Sequence, residues 1–310
     1  MRKLLLLAIT ACSLLSIVWA ADPPREADLI LREYDEVKHP SFDPSRSVYA
    51  EYNRIYAEER EAARAKRYAL AKELYTSHPR FPRARTVMHS ELVNAISAGQ
   101  TAKAIADIEQ FVNDHPKSDI GASVLLALGR DTEDKEKRVA IFRRIVAEYP
   151  PTQNTKKAEG CIRREEGVGK PFELTFTDAI TDQLISIKNL RGKVVVIDFW
   201  ATWCAPCVAD MPKLKKLYEQ YKDQGVEFIG VSLDRPGEGL NLLKTFVKEN
   251  GIAWPQYYQG NWWASEFSTS WGIERFPSTF IVDAEGNLYS TEAYGRLDKL
   301  IPELIKKRDG

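Results

Sequence analysis

The chain has 310 residues, of which 44 are basic and 44 are acidic, so its formal net charge is +0 at neutral pH. This balance gives no electrostatic reason to expect a nucleic acid as a partner, because phosphate binding needs excess positive charge. With 28% charged and 44% hydrophobic residues, the composition is that of an ordinary globular protein, and the length predicts two domains.

The first twenty residues, MRKLLLLAITACSLLSIVWA, have a basic start, an apolar run and a small residue at the end. This pattern is typical of a secretory signal peptide, with cleavage predicted after Ala20. A retained membrane anchor is one alternative, but the apolar run is short for a span. A lipoprotein signal at Cys12 is another, and it is disfavoured because Cys12 lies in the middle of the run. We therefore expect an exported protein in the periplasm or cell envelope, where disulfides persist.

Residues 21–46 are proline-rich and are predicted to form an extended leader. Residues 47–165 are rich in Ala, Glu and Arg, with apolar positions at helical spacing. Three segments of this region resemble one another, because each is an amphipathic helix that ends before a proline. The prolines are Pro79, Pro116 and Pro150, which are 37 and 34 residues apart. This period resembles that of tetratricopeptide repeats, although the usual Trp-Leu-Gly elements are missing. The sequence predicts a helical-repeat domain that is a candidate for binding a protein partner.

The stretch EEGVGKP, residues 165–171, interrupts the helical pattern and marks a linker. A second domain is predicted over residues 168–310. It begins with a hairpin in ELTFTDAITDQLISI and continues with two buried strands, KVVVIDFWA and VEFIGVSLD. A helix over residues 207–224 separates those strands, and the helix LNLLKTFVKEN follows them. The hairpin STFIVDAEGNLYSTEAYG and the helix LDKLIPELIKK complete an α/β architecture with a central sheet.

The stretch FWATWCAPC, residues 199–207, holds Cys204 and Cys207 three positions apart. Such a pair either binds a metal ion, forms a permanent structural disulfide, or forms a disulfide that is made and broken during a reaction. Zinc would need further ligands. The third cysteine of the mature chain, Cys161, lies in the helical region and is predicted to be inert. All the histidines lie before residue 168, outside the predicted second domain. They are His39, His78, His89 and His115. A permanent disulfide that closes so small a loop would stabilise the folded protein little. Exchange is therefore favoured, and no metal is predicted.

Residues 168–310 resemble the thioredoxin superfamily and, within it, the exported TlpA/ResA-like thiol-disulfide oxidoreductases. The matching pieces occur in order along nearly the whole domain, and they are PFELTFTDAITDQLISIKNLRGK, VVVIDFWATWCAPCVADMPKLKKLY, VSLD, FPSTFIVDAEGN and Gly295. The resemblance implies a thioredoxin fold, in which a central mixed sheet is flanked by helices. The predicted architecture is thus a thioredoxin-like domain preceded by an all-α helical-repeat domain, which lies outside the resemblance.

The position of Cys204 favours redox chemistry independently of this resemblance. Its sulfur would lie between the end of a strand and the start of a helix, facing unpaired N–H groups and the positive end of the helix dipole. Such an environment lowers the pKa of a thiol. We therefore expect Cys204 to be the accessible attacking thiolate and the more enclosed Cys207 to resolve the mixed disulfide. Pro206 favours the start of the helix.

Two carboxylates are candidates for proton transfer. Asp198 lies six residues before Cys204 in the predicted strand, at the offset of a buried proton acceptor in thioredoxins. Asp210 matches a position where the resembling family tends to have Glu, and the alternative for it is a helix residue that interacts only with the dipole. A buried carboxyl has a raised pKa and exchanges protons near neutrality. Asp198 is favoured, and the choice between the two stays open.

The remaining candidate residues concern the substrate. Pro277 aligns with the cis-proline that faces the disulfide in the resembling family, and a cis X-Pro bond is uncommon. The Phe276 backbone could pair with an extended peptide as an added strand. Arg275 is a candidate for substrate choice, with a solvated charge as the alternative. Trp203 is predicted to shield the disulfide and to offer an apolar contact, whereas the run Asn261–Trp263 is predicted mainly to pack.

The predicted function is that of an exported thiol-disulfide oxidoreductase that acts on protein thiols and disulfides. The resemblance favours the reducing direction, with electrons from a membrane or soluble donor. No cofactor is predicted beyond the redox-active Cys204–Cys207 disulfide. One alternative is a peroxiredoxin-like thiol peroxidase, which would need Thr three residues before the attacking cysteine, where this chain has Ala201. The other is a redox-switched scaffold whose helical repeats bind a partner.

Overall fold

The computed structural model describes residues 25–310, so the predicted signal peptide with Cys12 and Ala20 lies outside the described residues. The chain divides into two compact units, Met1–Glu91 and Leu92–Gly310. Within the described part, no helix has both the length and the apolar character needed to cross a membrane. The sequence analysis places the boundary between the helical and the α/β domain at residues 165–168, which differs from the division at Glu91. That boundary stays a prediction about which parts of the chain fold independently.

The described part of the first unit is helical, and it corrects the prediction of an extended leader. Helix α1 (Ala27–Glu36) lies inside that segment and packs against α2 (Ala50–Ser77). Ile30 and Tyr34 are four residues apart, so they lie on one face of α1, and both are buried. The Tyr34 hydroxyl donates a hydrogen bond of 2.6 Å to a Glu91 carboxylate oxygen. The short Pro44–Arg46 segment forms a 3₁₀ turn.

The prediction that residues 47–165 are helical is confirmed. Its further helices are α3 (Ala84–Ser97), α4 (Thr101–Asp114), α5 (Asp119–Asp131), α6 (Lys135–Glu148) and α7 (Gln153–Gly167). Helices α2, α4 and α6 each end just before one of the three spaced prolines, Pro79, Pro116 and Pro150. In the second unit α5 packs against α4, α6 and α7, as expected when neighbouring helices stack.

Residues 168–310 fold as a mixed sheet flanked by helices, which confirms the thioredoxin fold. The strands are β1 (Thr175–Thr177), β2 (Leu184–Ser186), β3 (Val194–Trp200), β4 (Val226–Ser232), β5 (Gln256–Tyr258), β6 (Ser278–Val282) and β7 (Leu288–Ser290). The helices are α8 (Ala205–Tyr221), α9 (Gly239–Glu249), α10 (Glu266–Ser270) and α11 (Leu297–Asp309). Strands β1 and β2 pair as a separate hairpin, and the others form a sheet in the order β5-β4-β3-β6-β7.

The central strand β3 explains where the site lies. It pairs in parallel with β4 and antiparallel with β6, and it is buried along its whole length. Because side chains alternate along a strand, Val194, Val196 and Trp200 face one core cluster, which also contains both cysteines. Val195, Ile197 and Phe199 face the other cluster. The same alternation places Asp198, the charged residue of β3, on the cysteine side of the sheet.

Candidate active site

Cys204 and Cys207 form a disulfide at the start of α8, with an S–S distance of 2.06 Å. Cys204 is the N-cap residue of α8, and its Sγ accepts a hydrogen bond of 3.3 Å from the Cys207 backbone N–H. Pro206 lies in the first turn, where its missing N–H leaves no helix bond unmade. The attacking position predicted for Cys204 therefore lies at the end of the helix where N–H groups have no intrahelical partner.

The prediction of an accessible Cys204 needs a correction. Cys204 is 5% exposed and Cys207 2%, so the order is as predicted but both residues are buried. The reason is that both sulfur-bearing side chains belong to the core cluster on the α8 side of the sheet. The exposed surface around the disulfide consists of the neighbouring residues Trp203, Ala205 and Pro206. Only a small area of Cys204 is therefore open to a reaction partner.

The turn before Cys204 is held by Asp234, which the sequence did not single out as a site residue. Its buried carboxylate accepts hydrogen bonds from the Thr202 backbone N–H at 3.1 Å and from the Thr202 hydroxyl at 2.6 Å. The Ser232 hydroxyl donates a third, at 2.7 Å. Asp234 follows the buried strand β4, and an acidic residue just after a buried strand is the signal that could have found it. The carboxylate fixes the backbone two residues before the nucleophile candidate.

The Phe276–Pro277 peptide bond is cis, as the sequence predicts. Pro277 and Cys207 line the same cavity, of about 210 Å³. The Phe276 ring centroid lies 5.7 Å from that of Trp203, and Arg275 beside it is exposed. The candidate residues Trp203, Phe276 and Pro277 are thus brought together at the disulfide.

Four aromatic side chains, Trp203, Trp262, Trp263 and Phe276, form what we call the aromatic patch. The Trp203 centroid lies 6.4 Å from that of Trp262 and 6.2 Å from that of Trp263, and Trp263 stacks on Phe276 at 4.6 Å. Trp203 is 44% and Trp262 38% exposed, although the sequence favoured packing for the tryptophans after Asn261. Together these rings present aromatic surface to solvent. The patch therefore extends the apolar surface beside the cysteines beyond Trp203.

Asp198, the carboxyl predicted to lie beneath the active site, is a buried residue of the same cavity. It is 5% exposed and lines the cavity together with Cys207. Burial is the main cause that raises the pKa of Asp198 to about 7. The Thr279 hydroxyl donates a hydrogen bond of 3.0 Å to the carboxyl and lowers this pKa, whereas the nearby charge of Asp210 raises it. A carboxyl with a pKa near neutrality can both accept and release a proton under physiological conditions. Thr279 was missed because it lies on β6, far away in sequence.

Asp210 lies on α8 and lines the same cavity, so both candidate carboxylates are brought to one place. The Tyr294 hydroxyl donates a hydrogen bond of 2.5 Å to Asp210 Oδ2, and this bond is the main cause that raises the pKa of Tyr294. Tyr294 comes just before Gly295 and was not singled out from the sequence. The cavity therefore runs from Asp198 beside Cys207 to the Asp210–Tyr294 pair, of which Tyr294 is exposed.

Two further predictions concern groups away from the disulfide. Cys161 on α7 is a free, buried cysteine, and burial raises its pKa, so the thiol form is favoured. Over residues 25–310, no group of three or more His, Cys, Asp or Glu side chains is placed to hold a metal ion.

The comparisons with known proteins agree with the chemistry of the Cys204–Cys207 disulfide. A family model described as Redoxin matches residues 168–297. The thiol-disulfide oxidoreductase ResA of Bacillus thuringiensis is 28% identical over 151 residues, which are 48% of this chain and 84% of that protein. The ResA of Bacillus cereus strain ZK is 31% identical over 141 residues, which are 46% of this chain and 73% of that protein. The chain belongs to the ResA-like family.

Membership of the ResA-like family confirms the predicted enzyme class, a thiol-disulfide oxidoreductase. Among solved structures, the thioredoxin domain of a thiol-disulfide oxidoreductase from Bacteroides vulgatus is 29% identical, with a TM-score of 0.36. That match covers 42% of this chain and 94% of the other. The family model matches the part of the chain that contains the Cys204–Cys207 disulfide, whereas helices α1 to α7 lie outside the residues that it matches.

Proposed function

We propose that this protein is an exported reductant of protein disulfides, in which Cys204 attacks, Cys207 resolves and Asp198 accepts the proton of Cys207. The observation that carries the proposal is the arrangement of the disulfide. Cys204 caps α8, and Cys207 opens onto the cavity that Asp198 lines. One sulfur therefore lies at a helix N-terminus, and the other lies next to a proton acceptor.

The first step begins from the reduced enzyme. The N-terminus of α8 favours the thiolate form of Cys204 through its free N–H groups, one of which contacts Sγ, and through the helix dipole. This thiolate attacks one sulfur of the substrate disulfide. A mixed disulfide forms between Cys204 and the substrate, and the second substrate sulfur leaves as a thiolate that takes up a proton.

The second step needs a proton acceptor because a thiol must lose its proton before it can attack. Asp198, with its pKa near 7, takes the proton of Cys207. The Cys207 thiolate then attacks Cys204 Sγ, the enzyme disulfide forms, and the first substrate sulfur leaves as a thiolate. The substrate has gained two electrons and the enzyme has lost two, so a membrane or soluble dithiol donor must reduce the enzyme again. We assign the release of this proton to Asp210 and Tyr294, which line the same cavity.

The substrate surface consists of the aromatic patch and the cis-proline loop. Because Cys204 has little exposed area of its own, binding must be provided by the residues around it. Trp203 and Trp262 offer exposed aromatic surface, and the Phe276 backbone offers hydrogen bonds to an extended strand. Arg275 lies at the edge of this surface. These features favour an unfolded or extended segment of a protein substrate that carries apolar side chains.

The experiment is the reduction of insulin by the purified protein, together with the reduction potential of its disulfide. We expect catalysed insulin reduction and a potential of roughly −200 to −270 mV, between those of protein disulfide isomerase and thioredoxin. A potential near −120 mV would overturn the reducing direction. Peroxide consumption that exceeds insulin reduction would instead favour the thiol peroxidase. Export rests on the N-terminal residues and is tested by the location of the full-length protein after cell fractionation.

A further inference from the structure

The helical region contacts the loop that leads to the cis-proline, and the contact is unusually close. On α7, a Cβ atom at Gly160 would lie 2.2 Å from the Thr269 carbonyl oxygen and 2.4 Å from the Gly272 nitrogen. Side-chain carbons do not approach other atoms so closely, so only glycine fits there. Gly272 has a φ of +61°, and a Cβ at that position would lie 3.0 Å from Cys161 Sγ. Two glycines thus allow backbone to pack on backbone.

Charged side chains reinforce the same contact. Glu274 forms an ion pair of 3.0 Å with Lys157 on α7 and a second ion pair with Arg130 at the end of α5. The two pairs use different carboxylate oxygens of Glu274. Arg164, also on α7, donates a hydrogen bond of 3.2 Å to the Gly272 carbonyl oxygen. Two helices therefore hold the loop from one side.

The loop continues directly into the active site. Glu274 lies three residues before Pro277, which lines the cavity with Cys207, and two residues before Phe276, which contacts Trp203 and Trp263. Residues 272–277 thus join the helical region to the substrate surface. A short segment that is fixed at one end by two ion pairs has fewer conformations available at its other end.

We propose that Glu274 is a positioning residue through which α5 and α7 hold the cis-proline loop in the conformation that binds protein substrates. This inference rests on the proposed function, because it assigns the loop to substrate binding. It gives part of the helical region a role in the reaction. The role concerns large substrates alone, since a small disulfide needs the Cys204 sulfur and not the loop.

The test compares a protein disulfide with a small one in the full-length protein. For the Glu274→Gln variant we expect the KM for insulin to rise about fivefold, the effect of losing two partly exposed ion pairs. The kcat for insulin and the rate with dithiobis(nitrobenzoic acid) should stay within twofold of the wild-type values. The reduction potential should be unchanged. The control is Glu159→Gln, which removes the same charge from an exposed position on α7 and should leave all these quantities unchanged.

A double-mutant cycle separates positioning from a general loss of structure. In an Arg130→Gln and Lys157→Gln background, Glu274→Gln should add nothing to the insulin KM, because its partners are already gone. A full further increase there, or an equal loss with the small disulfide, would overturn the inference. An unchanged insulin KM in Glu274→Gln would also overturn it while leaving the proposed function intact. A wild-type protein that fails to reduce insulin would overturn the proposed function itself.

Discussion

The pKa of Asp198 gives a prediction about stability that requires no substrate. Asp198 is buried in β3, and the pKa of its carboxyl is raised from the usual 3.8 to about 7. The carboxyl therefore keeps its proton up to a pH of about 7. In the unfolded chain the carboxyl ionises near its usual value. Between these two pH values the folded protein therefore holds more protons than the unfolded chain, and stability falls as the pH rises. The Asp198→Asn variant has no such proton to lose.

The magnitude follows from the difference between the two pKa values. Each unit corresponds to about 1.4 kcal/mol, so ionisable Asp198 lowers the free energy of unfolding by about 4 kcal/mol once the pH exceeds 7. Asn is nearly the same size, and its carbonyl oxygen can still accept the Thr279 hydrogen bond. We therefore expect the variant and the wild type to be about equally stable below pH 4. Above pH 7 the variant should be more stable by up to about 4 kcal/mol.

The assay is urea unfolding of the oxidised proteins at a series of pH values from 4 to 8. Oxidation matters because disulfide-bonded cysteines do not titrate, so the two cysteines add no pH dependence of their own. The Asp223→Asn variant, at an exposed position, serves as the control and should track the wild type. A stability difference between Asp198→Asn and wild type that stays constant over this pH range would refute the reasoning.

Three other predictions concern the neighbours of the disulfide. Asp234→Ala leaves the Thr202 donors without a partner and should destabilise the protein by about 1–3 kcal/mol, measured by urea unfolding. Trp262→Ala removes exposed aromatic surface and should raise the KM for insulin, but leave the melting temperature unchanged. Tyr294→Phe removes the hydrogen bond to Asp210 and should lower the kcat for insulin, because the hydroxyl no longer joins Asp210 to solvent at the mouth of the cavity; an unchanged kcat would exclude this pair from proton transfer.

Much of the fold could be predicted from local patterns in the sequence. The continuous apolar runs gave β3 and β4, and the hairpins gave β1–β2 and β6–β7. Strand β5 and the short α10 were not predicted, because each has at most five residues and neither shows a clear period. Helix α1 was also missed, because the flanking prolines suggested an extended segment. Its helical structure is stabilised by two side chains that are buried on one face, Ile30 and Tyr34.

The candidate site divides in a similar way. Cys204 and Cys207 could be named in advance because their spacing is visible in the sequence, whereas Asp198 and Pro277 were named through the resemblance to the thioredoxin superfamily. Partners such as Thr279 come from strands that pair in three dimensions and have no local signature. The same holds for the helical region, whose contact with Gly272 depends on tertiary packing. Local patterns thus indicated the reacting groups, and the groups that position them required the structure.

The most direct test of the central claim is a covalent trap of the substrate. In the Cys207→Ser variant, the mixed disulfide on Cys204 cannot be resolved, so a protein substrate should stay attached through a bond that dithiothreitol releases. The matched Cys204→Ser variant should trap far less, because its remaining thiol is the enclosed one. We predict adducts with Cys207→Ser, identified by mass spectrometry on Cys204. Equal trapping by the two variants, or adducts on neither, would contradict the assignment of Cys204 as the attacking sulfur.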